Sequence, residues 1–188
     1  MNSDGLYDGG GYAWQYNGVQ RPFYGAWAES YGATGEVCSA VFDFTRLDPG
    51  VAKRMDVYVW DDLGGQPGPV VCVVYDVDPG PIDSFPNVSR HQIEMPAGCC
   101  VDSEWWIGFW GNWPGERSDW FVGADQDSDY SRMPLTNIAP GLEYPSGWQY
   151  VSVVWGATAA VGIGAMIRPC EPTPTVATTW GRVKALYR

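Results

Sequence analysis

Residues 55–74 read MDVYVWDDLGGQPGPVVCVV, and this stretch decides the fold. Val57 and Val59 alternate with Tyr58 and Trp60, the period of two that sends successive side chains to opposite faces of a strand. Residues 70–74, VVCVV, form the returning run. Between the two lie Asp61, Asp62, Gly64, Gly65, Pro67, Gly68 and Pro69. Glycine supplies positive φ, proline a fixed φ, and aspartate a side-chain bond to nearby backbone, so the segment predicts a turn and the whole stretch a hairpin.

The chain around this hairpin has 188 residues, long enough to bury a core as one domain. Its 24 Gly and 15 Pro cut it into short pieces, and 15% of it is aromatic. That composition predicts an all-β fold, a single antiparallel jelly-roll-like sandwich of about eight strands. Strands are expected within residues 7–27, over 37–44, at the hairpin, over 89–95 and 100–110, at 120–124, and at 150–154 and 160–167. Residues 125–145 read as a long polar loop. In 100–110, Trp105, Ile107 and Phe109 share one face while Trp106, Gly108 and Trp110 share the other, so one set belongs to the core.

The formal charge is −11, which argues against nucleic acid, whose phosphates require clustered Lys and Arg. No stretch has the roughly 20 apolar residues of a membrane span. Met1 is followed by the polar NSDGLYDGGG, in which no leader is visible. Cys38, Cys72, Cys99, Cys100 and Cys170 match no zinc spacing, so they read as disulfide candidates with an odd thiol left over, and disulfides imply an oxidising, extracellular or cell-surface location.

Composition changes after Pro169. We divide the chain into a sandwich domain (1–169), a Pro/Thr linker (170–179) and a basic aromatic tail (180–188). Residues 1–170 carry 21 acids and 8 bases, whereas 171–188 carry one acid and three bases. Trp180, Val183 and Tyr187 fall on one face of a short helix, with Arg182, Lys184 and Leu186 beside them. Nine residues are marginal as a free helix, so the tail reads as a sorting motif or as a docking element on its own body or on a neighbouring copy.

The segments YAWQYNGV, GAWAESYG, MDVYVWDD, GGQPGPVV, WWIGFWG, NIAPGLEYPSGWQ and AVGIGAMI, with the terminal TTWGRVKALYR behind a Pro/Thr linker, resemble secreted lectin-like or jelly-roll β-sandwich proteins of environmental bacteria. The resemblance implies a fold and a secreted location. It supplies no catalytic residue.

The chemistry-bearing residues are few. His91 is the only histidine and sits on an apolar strand face, which reads as structural. There is no G-x-S-x-G elbow, H-E-x-x-H or phosphate-binding loop. Carboxylate pairs of the glycosidase kind have candidates in Asp61, Asp62, Glu104, Glu116 and Asp119, of which Asp61 and Asp62 are better explained by the turn. Asp125, Asp127 and Asp129 space three acids like the start of a calcium loop, a candidate structural calcium site, although Tyr130 and Thr136 stand where an EF-hand needs Gly and Glu. Trp106, Trp110, Trp113 and Trp120 are candidates for a glycan platform with Asn112, Glu116, Arg117 and Asp119 at its rim; their competing place is the core. The expectation is a non-enzymatic, secreted structural or adhesive module that self-associates as a homo-oligomer or polymer through tail and aromatics. The alternative is a carbohydrate-binding module.

Overall fold

The computed structural model describes residues 1–7, 15–16 (backbone), 25–46, 54–111, 120–127, 133–138 and 145–170. The tail and most of the linker, residues 171–188, lie outside them. The strands in chain order are β1 (Gln15–Tyr16), β2 (Ala26–Tyr31), β3 (Gly35–Arg46), β4 (Met55–Asp62), β5 (Pro67–Val77), β6 (Ser89–Glu94), β7 (Cys100–Val101), β8 (Trp105–Trp110), β9 (Trp120–Val122), β10 (Ala124–Asp125), β11 (Leu135–Ile138), β12 (Gly147–Tyr150), β13 (Ala160–Val161) and β14 (Ile163–Arg168), with one helical turn, α1 (Val151–Val154).

The fold is the antiparallel β-sandwich expected from the sequence. Its two main sheets have six described strands each; the one whose strands are longer in sum, and so the larger, runs β12-β11-β2-β8-β4-β5. The smaller is organised by β3, which pairs with β14 and then β9 along one edge and with β7 and then β6 along the other. The chain crosses repeatedly between sheets, so among the described residues only β4–β5 and β11–β12 are neighbours both in sequence and in space.

Alternation decides which face each side chain takes. Trp27, Met55, Val57, Val59, Trp105, Ile107 and Phe109 of the larger sheet face Val37, Ala40, Phe42 and Phe44 of the smaller, all at most 2% exposed. The Phe109 ring meets Phe42 and Phe44 edge-on, at 5.5 and 5.1 Å between centroids, and so ties the two sheets together. His91 lies at the margin of this core, between Ser89 Oγ at 2.8 Å and the Pro79 carbonyl at 2.7 Å, in keeping with a structural role.

Strand expectations change in several places. Residues 120–124 divide into β9 and β10, and 160–167 into β13 and β14, with β10 and β13 forming a separate two-stranded sheet. Residues 150–154 are not a strand: β12 ends at Tyr150 and α1 follows, burying Val151 and Val154 and exposing Val153, a spacing of three that suits a helical turn. The polar loop over 125–145 contains β11, whose Leu135 and Thr136 pair with Ala28 and Trp27 of β2. Residues 100–110 are two strands in different sheets, β7 and β8, joined through Ser103 at φ +54°.

Disulfides join Cys72 to Cys99 and Cys100 to Cys170, with Cα separations of 5.7 and 6.1 Å. Cys38 is the odd thiol, half-buried. Residues 1–7 lie along the sandwich and are held by buried acids. Asn2 donates to Glu29 Oε1 at 2.8 Å, the Asp4 amide to Asp125 Oδ2 at 3.1 Å, and the Tyr7 hydroxyl to Asp43. Tyr7 lies so close over Gly123 that a Cβ there would fall 2.5 Å from its ring; at Gly162 it would fall 2.7 Å from its hydroxyl. Both positions need glycine for close approach.

Candidate binding face

The outer face of the larger sheet carries a second aromatic layer. Gly108 of β8 pairs with Ala28 on one side and Tyr58 on the other, so the middle of this face is small. Larger rings fold over it. Tyr58 stacks on Trp60 at 5.1 Å and 8°, Trp60 meets Trp148 edge-on at 5.7 Å, and Trp148 meets Trp110 edge-on at 6.4 Å. Trp60 and Trp106 are buried with Ala28 and Leu135, while Tyr58 and Trp148 are partly exposed around them. Tyr75 continues the row at 6.2 Å from Tyr58. Most contacts are edge-to-face, so the layer is a packed cluster and not a flat plate. Burial, and then the Asp56 carboxylate, raise the Tyr58 pKa above its ordinary value.

The cluster opens at one end into a cleft of about 370 Å³ lined by Ser30, Asp62, Gly65, Glu104, Trp106, Met133 and Tyr150. The local sequence explains this placement. Asp62 ends β4 and accepts the Gly65 amide on both oxygens, at 3.1 and 3.0 Å, which is the turn chemistry expected of it. The same carboxylate accepts from Trp106 Nε1 at 2.8 Å and so fixes the indole. Ser30 pairs with Trp106 across the sheet. Tyr150, 43% exposed, sits at the end of β12 before the chain turns into α1. The cleft therefore combines an indole, a phenol, a hydroxyl and two carboxylates.

Of the four tryptophans singled out from the sequence, Trp106 and Trp110 lie on this face. Trp120 does not: it is 7% exposed and packs in the main core 5.9 Å from Phe44, because β9 belongs to the smaller sheet. Trp113, Asn112, Glu116, Arg117 and Asp119 lie outside the described residues. So do Asp129 and the tail residues Trp180, Arg182, Val183, Lys184, Leu186 and Tyr187. Asp125 is fully buried, with Oδ2 accepting from the Asp4 amide and Oδ1 from the Asp127 amide at 3.2 Å; Asp127 is exposed. Trp60, Trp148 and Tyr150 join the face without having been singled out. Trp60 and Tyr58 could have been found from hairpin alternation, whereas Trp148 and Tyr150 depend on β12 reaching the same sheet through β11.

Glu29 was also missed. It lies on the inner face of β2 between Trp27 and Tyr31, is fully buried, and accepts the Val161 amide at 2.9 Å on Oε2 as well as Asn2 on Oε1. Burial pushes its pKa up to about 8 against the opposing pull of those two donors.

No helix among the described residues is long and apolar enough to cross a membrane. No family model, curated protein or solved structure matches the chain.

Proposed function

We propose that the chain is a non-enzymatic, extracellular adhesive module that recognises carbohydrate through the outer face of its larger sheet. The observation that carries this reading is the cleft in which Trp106 and Tyr150 meet Asp62, Glu104 and Ser30. Tyr150, 43% exposed, offers apolar area to the C–H face of a sugar with the buried Trp106 as the floor beside it, while carboxylates and hydroxyls take hydroxyl hydrogen bonds and set orientation. The edge-to-face packing behind the cleft holds the aromatic layer rigid, which lowers the ordering cost of binding. Two disulfides favour an oxidising compartment. The role of Asp62 in its turn and in fixing Trp106 favours binding over hydrolysis.

The test is a glycan array probed with the full chain, followed by titration of the best ligand against Tyr150→Ala and Glu104→Gln. Each variant is expected to weaken binding about tenfold with its melting temperature nearly unchanged. An array without a single bound glycan overturns the proposal.

A second reading, homotypic assembly, is favoured by one observation. The edge strand β5 exposes Val70 at 52% and Tyr75 at 65%. An exposed apolar edge is a template for pairing with another chain.

A further inference from the structure

The outer face of the smaller sheet holds a separate cleft of about 640 Å³. Leu6 and Tyr7 of the N-terminal segment form one wall, Pro86 and Val88 of the approach to β6 the other, and Asp43 with Arg90 the polar end. Leu6 is 68% exposed at its mouth. The walls are thus apolar and the charge lies at one place.

At that place the groups are held in fixed geometry. Asp43 and Arg90 face each other across β3 and β6, and the guanidinium donates from Nε and Nη2 to the two Asp43 oxygens, both at 2.8 Å. Tyr7 donates to Asp43 as well. The Asp43 side chain is 4% exposed while that of Arg90 is 61% exposed. Asp43 has its acceptor sites taken by three donors and is shut from solvent, so it does not invite a cation. Arg90 Nη2 also donates to Met1 Sδ at 3.7 Å, so Nη1 is the nitrogen left for a ligand, and the side chain, although 61% exposed, is already ordered by these contacts. A guanidinium held in plane by one carboxylate is prepared to donate from Nη1 to a second, at little further cost in side-chain entropy.

We propose that this cleft is a binding site for a small carboxylate with an apolar body, such as a medium-chain aliphatic or aromatic acid. The carboxylate meets Arg90, and the apolar body lies between Leu6 and Tyr7 on one side and Pro86 and Val88 on the other. The site lies on a different sheet from the carbohydrate cleft and does not depend on that reading.

The experiment titrates octanoate and, in parallel, octanol into the full chain by calorimetry. Octanoate is expected to bind, with octanol about tenfold weaker or undetectable, the difference made by a charge-assisted hydrogen bond. Val88→Glu leaves the Arg90–Asp43 pair in place and sets a negative charge on the wall. It is expected to abolish octanoate binding while the melting temperature stays within a degree or two. Arg90→Lys is expected to keep a weakened preference for octanoate over octanol. Equal binding of octanoate and octanol, no binding of either, or octanoate binding unaffected by Val88→Glu overturns the proposal.

Discussion

Asn2 Nδ2 lies 2.8 Å from Glu29 Oε1 in a site closed to water, so a residue at the start of the chain meets an acid that points into the core from the larger sheet. The pKa of Glu29 is raised to about 8, from an ordinary value near 4.5, with burial as the largest cause. A carboxyl whose folded pKa exceeds its unfolded one binds its proton more tightly when folded. Its contribution to stability is therefore complete below about pH 4.5 and is lost as pH rises toward about 8. Stability of the chain to chemical denaturant is expected to fall over this window by roughly 1 kcal/mol per pH unit relative to Glu29→Gln. The variant cannot ionise, so the difference between the two pH profiles isolates this group. Parallel profiles refute the assignment.

The disulfides close loops of different length, with sequence separations of 27 and 70. Loop-closure entropy puts their contributions at roughly 3.5 and 4.5 kcal/mol. Cys100→Ser with Cys170→Ser is expected to cost somewhat more than Cys72→Ser with Cys99→Ser, as read by urea denaturation. Cys99 is 1% exposed and belongs to the main core, so its removal carries an added packing cost that narrows the gap. Free-thiol titration of the unreduced, unfolded chain should find one thiol, that of Cys38.

Local pattern made the hairpin legible, although Pro67, Gly68 and Pro69, expected in the turn, belong to β5, because Asp62 already pairs with Pro67. Alternation gave β4 and β5, and Asp62, Gly64 and Gly65 could only turn. The two faces of β8 were legible for the same reason. Sheet membership was not, because β2 pairs with β8 and β11 across long stretches of chain, and alternation says which residues share a face but not what that face meets. Trp120 shows the consequence: it looked like a companion of Trp106 and Trp110 yet lies in the opposite sheet. Glu29 escaped notice because a carboxylate reads as solvent-facing, although Trp27 and Tyr31, two positions away on either side, mark an inward face.

Trp106 offers a check on the candidate face that separates geometry from area. Its indole donates to Asp62, which in turn holds Gly65 in the hairpin turn. Trp106→Phe keeps an aromatic ring but removes the donor, and should cost about 1 kcal/mol of stability. It should weaken glycan binding more than its stability loss alone implies, because the cleft loses a fixed wall. Trp60→Ala, which opens the cluster beneath Trp148, should cost about 3 to 5 kcal/mol. If Trp106→Phe leaves glycan affinity untouched, the cleft is not where the sugar binds.

The edge strand β5 tests homotypic assembly directly. Among the described residues it pairs only with β4, and its exposed Val70 and Tyr75 lie along the open side of the larger sheet. Three register shifts in the β4–β5 pairing and the Cys72–Cys99 bridge twist and tether this edge, devices that restrain pairing with another chain. The restraint is incomplete, because the run from Val70 to Tyr75 contains no charge before Asp76. Lysine at such an edge repels a second copy. Val70→Lys with Tyr75→Lys is therefore expected to shift the light-scattering mass toward the monomer, with stability changed by no more than about 0.5 kcal/mol per exposed site. A wild-type chain that remains monomeric at the highest concentration measured, or a double variant that associates as strongly as wild type, removes β5 as an assembly edge.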